Sequence, residues 1–296
     1  MRIPSGLDWW HEVPGGAEWL ASLPSVVEAC ADRWSLCVGA PFEGGHVSLV
    51  MQVERENGTP AVLKVNFPGE ETEREPDALR HWDGRGAVRL HAYDEGLRTL
   101  LIERCDPGSQ LWTVEDDEEA TSIGATVLST LWRQPDVDHG FVALAAVAAR
   151  WAVEISRDWE ALGRPFARGL LAEAVDACLE LGPDQGESVV LHQDFHGGNV
   201  LRATREPWLA IDPKPLVGER EFDAASLLRD RRWLLGAQDD GVRIRRRLDL
   251  LASEFGLDRE RMRRWGIAHA LAWGVSGGKL EGDMIVCARL LLAARS

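Results

Sequence analysis

The character of the sequence changes at residues 105–108, Cys-Asp-Pro-Gly, and this change limits the folds that are open to the chain. Before it, short runs of aliphatic and β-branched residues alternate with turn residues, which is typical of antiparallel strands. The predicted strands are 34–42, 47–54, 61–67, 87–93 and 97–104. Asn57-Gly58 indicates a hairpin, and the apolar spacing within 70–83 predicts one helix beside the sheet.

After this break, most of the sequence has helical periodicity. The predicted helices are 114–133, 140–162, 166–181, 221–236, 241–254, 258–273 and 279–294, and short strands are predicted at 188–193, 199–203 and 207–212. Pro107 and Gly108 end the last strand of the first part. We therefore expect an α+β protein with a sheet lobe over 1–104, a hinge over 105–108 and a mainly helical lobe over 109–296.

The chain of 296 residues carries 33 basic and 48 acidic side chains, a formal charge of −15. Such a charge repels nucleic acid and favours a small cationic ligand. Five widely spaced cysteines without a C-x-x-C pair indicate buried thiols in a reducing cytoplasm. The longest apolar run, 141–149, is too short to span a bilayer. We expect a cytoplasmic protein that binds neither nucleic acid nor membrane, and no pattern indicates a protein partner.

The densest chemical signal is VVLHQDFHGGNVL, residues 189–201. An apolar strand leads into a glycine-rich turn with Asp194 and Asn199, and a further apolar segment leads to Asp212. Phosphoryl transfer requires a carboxylate for the attacking hydroxyl, oxygen ligands for Mg²⁺ and a cation for the phosphates. Asp194 is the candidate base, Asn199 and Asp212 are the candidate metal ligands, and Lys64 is the candidate cation.

Lys64 is unusual because the chain has three lysines, the others being Lys214 and Lys279, against 30 arginines. A lysine side chain that faces the interior of the protein requires a counter-ion. The acidic segment that follows it offers Glu71, Glu73 and Glu75.

The succession of AVLKV, an acidic helix, H-x-D-x-x-x-x-N and I-D resembles the protein-kinase-like superfamily. The segments LHQDFHGGNVL and EPWLAIDPKPLVGEREFDAASLLRD are similar to the aminoglycoside phosphotransferase branch, in particular the streptomycin 6-kinase and hydroxyurea phosphotransferase group. The resemblance extends from about residue 17 to residue 290. It implies a two-lobed kinase-like fold that binds ATP and Mg²⁺ between its lobes. D-P-K replaces D-F-G, which argues against a protein substrate.

The resemblance also implies a role for each matching residue. Asp194 matches the catalytic aspartate, and Lys64 and Glu75 match the phosphate-binding lysine and its ion-pair partner. The remaining matches are Asn199 and Asp212 as metal ligands, Glu103 to Cys105 as the adenine-binding hinge, His192 as a support of the catalytic loop, and Gly44, Gly45 and Ser48 in the loop over the nucleotide. Asp223 is interpreted as structural.

The expected function is ATP-dependent phosphorylation of a small hydroxylated acceptor. The resemblance favours streptomycin, at its 6-hydroxyl, and hence antibiotic resistance, with Glu281 and Asp283 as candidate carboxylates for a cationic acceptor. One alternative is a housekeeping or biosynthetic kinase of another hydroxylated or amino-sugar metabolite. A second is a nucleotide-binding regulator without turnover, which the complete set of catalytic residues disfavours.

Overall fold

The computed structural model describes residues 1–43, 47–236 and 241–295, with only the backbone at Glu71. The chain divides into two compact units, Met1–Gly108 and Ser109–Ser296.

The first unit is built on a five-stranded antiparallel sheet. Its strands are β1 (Leu36–Pro41), β2 (Ser48–Arg55), β3 (Pro60–Asn66), β4 (Leu90–Asp94) and β5 (Thr99–Glu103), in the order β1-β2-β3-β5-β4. In the central strand, Lys64 pairs with Val50 of β2 and Leu100 of β5. Because side chains alternate along a strand, Leu63 and Val65 enter the hydrophobic core while Lys64 lies on the other face.

The helices of the first unit are α1 (Gly16–Trp34), α2 (Glu70–Glu73) and α3 (Glu75–Trp82), and a 3₁₀ helix precedes them at Ser5–Glu12. The single helix expected over 70–83 is divided at Arg74, and the new helix begins at Glu75 with Pro76 in its first turn.

Helix α1 was not predicted. It contains Pro24, a residue that normally argues against a helix. Its buried residues form one apolar face against the sheet: Trp19, Leu20, Leu23, Val27 and Cys30.

The second unit is mainly helical. Its helices are α4 (Asp117–Leu131), α5 (Leu144–Ala161), α6 (Arg168–Leu181), α7 (Arg220–Leu228), α8 (Val242–Phe255), α9 (Arg259–Gly274) and α10 (Gly282–Ala293). Its short strands are β6 (Val142–Ala143), β7 (Val189–Leu191), β8 (Val200–Arg202), β9 (Trp208–Ala210) and β10 (Leu216–Gly218). Strand β10 pairs with both β6 and β7, and β8 pairs with β9. Among the described residues, no helix has the length and apolarity needed to cross a bilayer.

The helix expected over 221–236 ends at Leu228 in the structure, because Arg231 has a left-handed backbone conformation with φ of +49°. A short 3₁₀ turn follows at Arg232–Leu234. Strands β6 and β10 were not predicted.

A buried arginine joins three helices of the second unit. Arg247 of α8 donates to Asp117 of α4 at 2.6 and 3.1 Å and to the backbone carbonyls of Leu228 and Asp230 at 3.1 and 2.6 Å. These carbonyls lie at the end of α7, where no further helical turn supplies backbone donors. The Arg247 side chain is 2% exposed, so its positive charge is buried and requires the carboxylate of Asp117 as a counter-charge.

We expect Asp117→Asn to lower the free energy of unfolding by about 3 kcal/mol, because it leaves a buried guanidinium without its counter-charge. The neighbouring Glu118→Gln is the control, since Glu118 pairs with Arg246 at the surface and the loss of that pair should cost less than about 1 kcal/mol. Urea unfolding of both variants measures the difference. Equal stability of the two variants would contradict the role given to Asp117.

Candidate active site

Lys64 and Glu75 form a buried ion pair in the first unit. Lys64 Nζ lies 2.7 and 2.8 Å from the carboxylate oxygens of Glu75, and these side chains are 7% and 1% exposed. Asn66, on the same face of β3, donates from Nδ2 to Glu75 Oε2 at 2.8 Å. Ser48 Oγ in turn donates to Asn66 Oδ1 at 2.7 Å. The glutamate is therefore held by two partners in an orientation that keeps the ammonium in place.

Of the three glutamates that the sequence offers to Lys64, the structure places Glu75 against it. Glu73 lies in α2 with a side chain that is 54% exposed, 3.8 Å from Arg74. The side chain of Glu71 lies outside the described part of the chain. Glu75 reaches the lysine because it is the first residue of α3, where the chain restarts after α2.

The structure describes some of the other residues that are expected to contact the nucleotide. Gly44-Gly45 lies outside the described residues. Ser48 is buried, and its hydroxyl serves the network around Glu75. Glu103, the last residue of β5, exchanges hydrogen bonds with Arg89 through its backbone N–H at 2.9 Å and its carboxylate at 3.0 Å. Cys105 follows it and is half-buried.

In the second unit, a buried carboxylate fixes the start of the loop that carries Asp194 and Asn199. Asp223 of α7 accepts hydrogen bonds from the backbone N–H groups of His192 and Gln193 at 3.0 and 2.8 Å, and from Trp132 Nε1 at 3.3 Å. Gln193 has a φ of +65°, a strained conformation for a residue with a side chain. Burial raises the pKa of Asp223, and these donors act against that rise. Asp223 therefore holds the loop, in addition to its place in the helix.

His192 joins this loop to the segment that carries Asp212. Its Nε2 lies 2.9 Å from the carbonyl oxygen of Ile211, and its own carbonyl accepts from the N–H of Lys214 at 3.0 Å. Burial lowers the pKa of His192, so the ring is neutral. Asp212 has a φ of +58°, which Asp tolerates better than most residues. His192 thus connects the segment that carries Asp194 to the segment that carries Asp212.

Asn199 and Asp212 are brought together by the hairpin of β8 and β9. The Ile211 N–H donates to the carbonyl of Asn199 at 2.9 Å, which continues the ladder one residue beyond the paired strands. Asn199 Nδ2 donates to the carbonyl oxygen of Asp194 at 3.0 Å, so the amide oxygen Oδ1 faces away from that bond. An amide oxygen and a carboxylate are ligands that suit Mg²⁺. The donor set fits this ion.

Asp194 lies between two cations. Lys214 Nζ is 3.5 Å from Oδ2, and Arg229 Nη2 is 3.3 Å from Oδ1. Burial alone would raise the pKa of Asp194, but the charges of Lys214 and Arg229 outweigh it and lower the pKa below its usual range. The carboxylate is therefore ionised throughout the physiological pH range and can accept a hydrogen bond from a hydroxyl group.

Sequence reasoning missed the groups that surround Asp194. Arg229 Nε donates to His269 Nδ1 at 2.8 Å, and the ring of Trp273 lies 4.8 Å from both Lys214 Nζ and the Arg229 guanidinium carbon. Lys214 carried a signal, since lysine is rare in this chain. Arg229, His269 and Trp273 carried none, because they meet Asp194 only through the packing of α7 against α9.

The two carboxylates suggested for the acceptor, Glu281 and Asp283, are exposed at the start of α10. The Glu281 N–H donates to the carbonyl of Gly274 at 2.8 Å, which ties this start to the end of α9. Acidic residues at a helix N-terminus are favourable without any ligand. The structure gives neither residue a contact with Asp194.

The comparisons with known proteins agree with this geometry. A family model described as aminoglycoside/hydroxyurea antibiotic resistance kinase matches residues 33–279. The chain belongs to this family. The kinase is 42% identical over 273 residues to a streptomycin 6-kinase of Streptomyces glaucescens, covering 90% of this chain and 88% of that protein. It is 38% identical over 275 residues to a hydroxyurea phosphotransferase of Kitasatospora aureofaciens, covering 90% and 77%.

The solved choline kinase LicA of Streptococcus pneumoniae shares the fold, with a TM-score of 0.59 and 12% identity over 92% of this chain and 98% of that chain. The predicted family resemblance and the kinase-like α+β fold are therefore confirmed. The predicted enzyme class is confirmed as well: the chain is an ATP-dependent small-molecule phosphotransferase of an antibiotic resistance family.

We expect Asp223→Ala to lower the free energy of unfolding by about 3 kcal/mol and to reduce kcat, because two buried backbone N–H groups lose their acceptor. Glu221→Gln, in the same turn of α7, is the control and should stay within about 0.5 kcal/mol of the native protein. Thermal unfolding and steady-state rates measure the two effects. A stable Asp223→Ala protein with native kcat would show that the loop does not need this carboxylate.

Proposed function

We propose that this kinase transfers the γ-phosphoryl group of ATP to a hydroxyl group of an aminoglycoside, with streptomycin at its 6-hydroxyl as the first candidate. The observation that carries the proposal is the combination of an ionised, buried Asp194 with 42% identity to a streptomycin 6-kinase over nine-tenths of the chain. The acidic composition supports a cationic acceptor. Cys30, Cys178 and Cys287 are buried as expected, whereas Cys37 is exposed and Cys105 is half-buried. The wide spacing of the cysteines, without a C-x-x-C pair, supports a cytoplasmic location.

The first unit acts on the nucleotide in this proposal. Lys64 binds the phosphates as a point charge, and Glu75 keeps it extended toward them. The backbone between Glu103 and Cys105 holds the adenine. We assign residues 1–104 to nucleotide binding, 105–108 to the hinge and 109–296 to catalysis and acceptor binding.

The second unit supplies the metal ligands and the base. Asn199 and Asp212 hold Mg²⁺, which when bound neutralises charge on the phosphate oxygens. Asp194 accepts the hydrogen bond of the acceptor hydroxyl and takes its proton as the phosphorus–oxygen bond forms. A carboxylate whose pKa is lowered by Lys214 and Arg229 is a weak base. Its main contribution is therefore orientation, which suits the loose transition state of phosphoryl transfer.

We expect streptomycin to stimulate ADP release from ATP, with one phosphate added to the drug as seen by mass spectrometry. The acceptor panel includes hydroxyurea, because one relative is a hydroxyurea phosphotransferase, and unrelated amino sugars. Stimulation by an amino sugar alone would overturn the drug assignment and favour a metabolic kinase. An absence of stimulation by every acceptor would favour a nucleotide-binding regulator.

Asp194→Asn and Asp212→Asn should have different signatures. We expect Asp194→Asn to lower kcat by about 10³-fold while the Kd for ATP measured with Mg²⁺ stays within about twofold. Asp212→Asn should remove the dependence of ATP binding on Mg²⁺, because the site loses its carboxylate ligand. Isothermal titration with and without Mg²⁺ separates the two. An equal loss of ATP affinity in both variants would contradict the separate roles.

A further inference from the structure

His196, two residues after the catalytic aspartate, has a ring whose orientation is fixed. Its Nδ1 accepts a hydrogen bond from the Gly198 N–H at 3.1 Å. Because Nδ1 is an acceptor, the proton of the neutral ring is on Nε2. Nε2 lies 4.0 Å from Asp194 Oδ1. The ring therefore directs an N–H donor toward the vicinity of the catalytic carboxylate.

Trp112 holds this ring in place. The two rings are stacked, with centroids 5.2 Å apart and planes 13° apart. Trp112 Nε1 donates to Asp230 Oδ1 at 2.7 Å, and Asp230 Oδ2 accepts from the Gly197 N–H at 3.0 Å. One carboxylate thus joins the stacking partner to the catalytic loop.

The two glycines of the loop are required by the same tryptophan. A Cβ atom at Gly197 would lie 2.5 Å from Trp112 Cδ1, and one at Gly198 would lie 2.7 Å from Trp112 Cη2. No side chain larger than hydrogen fits at either position while the indole lies on the loop. The pair Gly197-Gly198 in the motif thus permits a close approach that fixes His196.

The distance of 4.0 Å between His196 Nε2 and Asp194 Oδ1 is too long for a direct hydrogen bond. It suits a single oxygen atom that lies about 2.8 Å from each. Asp194 Oδ1 also receives Arg229, at 3.3 Å, but a carboxylate has about four lone-pair positions. A hydroxyl group placed here donates its proton to Asp194 and accepts from His196.

We propose that His196 is a catalytic residue that orients the acceptor hydroxyl through Nε2–H. One lone pair of the hydroxyl oxygen accepts from Nε2–H and the other forms the bond to the γ-phosphorus. The bond from that phosphorus to the bridging oxygen of ATP breaks with its electron pair going to ADP, and the hydroxyl proton passes to Asp194. A donor on the attacking oxygen lowers its nucleophilicity slightly. A loose transition state asks little of the nucleophile, so orientation prevails.

This inference rests on the proposed function, and the test separates it from a structural role of His196. His196→Asn keeps an acceptor, Oδ1, for the Gly198 N–H but has no group at the position of Nε2. We expect kcat to fall about tenfold to 100-fold, with little change in the Tm, in the Kd for ATP or in the KM for the acceptor. His196→Ala should also lose thermal stability, since the loop hydrogen bond is removed.

His139→Asn is a matched control in the same unit. His139 Nδ1 accepts from the N–H of Phe141, two residues ahead, and its ring stacks on that of Phe141, but it is exposed and distant in sequence from the loop. Its substitution should leave kcat unchanged. In ¹⁵N spectra of the native kinase, the ring signals that disappear in His196→Asn should report a protonated Nε2 and an unprotonated Nδ1, and acceptor binding should shift the Nε2 signal.

Native kcat in His196→Asn would overturn the proposal, and so would a loss of kcat matched by an equal loss of ATP affinity, which indicates distortion of the loop. If the native kinase phosphorylates neither streptomycin nor any acceptor of the panel, the proposed function fails. The variants are then compared by ATP hydrolysis, in which water takes the place of the hydroxyl. Equal hydrolysis by His196→Asn and the native kinase would overturn the inference separately.

Discussion

The loop that carries Asp194 depends on one carboxylate, Asp223, that has no exposed surface. Asp223 accepts from two consecutive backbone N–H groups, those of His192 and Gln193, and from an indole N–H. Removing such a group from water costs several kcal/mol, and only this full set of donors offsets the cost. The set in turn holds Gln193 in its strained conformation. The backbone conformation of Gln193 sets the direction in which the chain continues from β7 to Asp194.

The environment of Asp194 is built by the same helix. Asp223 lies in α7, and Arg229 directly follows the last residue of that helix. The same helix therefore holds the backbone before Asp194 and supplies a cation to the Asp194 carboxylate. His269 accepts from Arg229 Nε and keeps the guanidinium directed at Asp194. Burial and the nearby Arg229 lower the pKa of His269 well below its usual value, so it stays neutral and acts as an acceptor. The α7 region therefore helps to position Asp194 and, together with Lys214, keeps it ionised.

Local sequence patterns predicted most strands and most helices, and the motif from residue 189 to residue 201 predicted the family and the loop. Contacts between distant elements were beyond reach. Periodicity alone left three glutamates open for Lys64, and the break between α2 and α3 decides for Glu75. Arg229 looked like one of 30 arginines, since nothing local distinguishes a buried guanidinium from an exposed one. Helix α1 was not predicted, and it contains Pro24, a residue that is unfavourable inside a helix.

The net charge of −15 has little influence on chemistry at Asp194. Charges at the surface are screened over about 8 Å at physiological ionic strength, whereas Lys214 and Arg229 lie within 3.5 Å of the carboxylate. An acidic chain thus places two fixed cations against one of its buried carboxylates. The acid excess can concentrate a cationic acceptor near the protein, but it cannot choose which hydroxyl group reacts. A choice of that kind depends on contacts at short range between the acceptor and individual side chains.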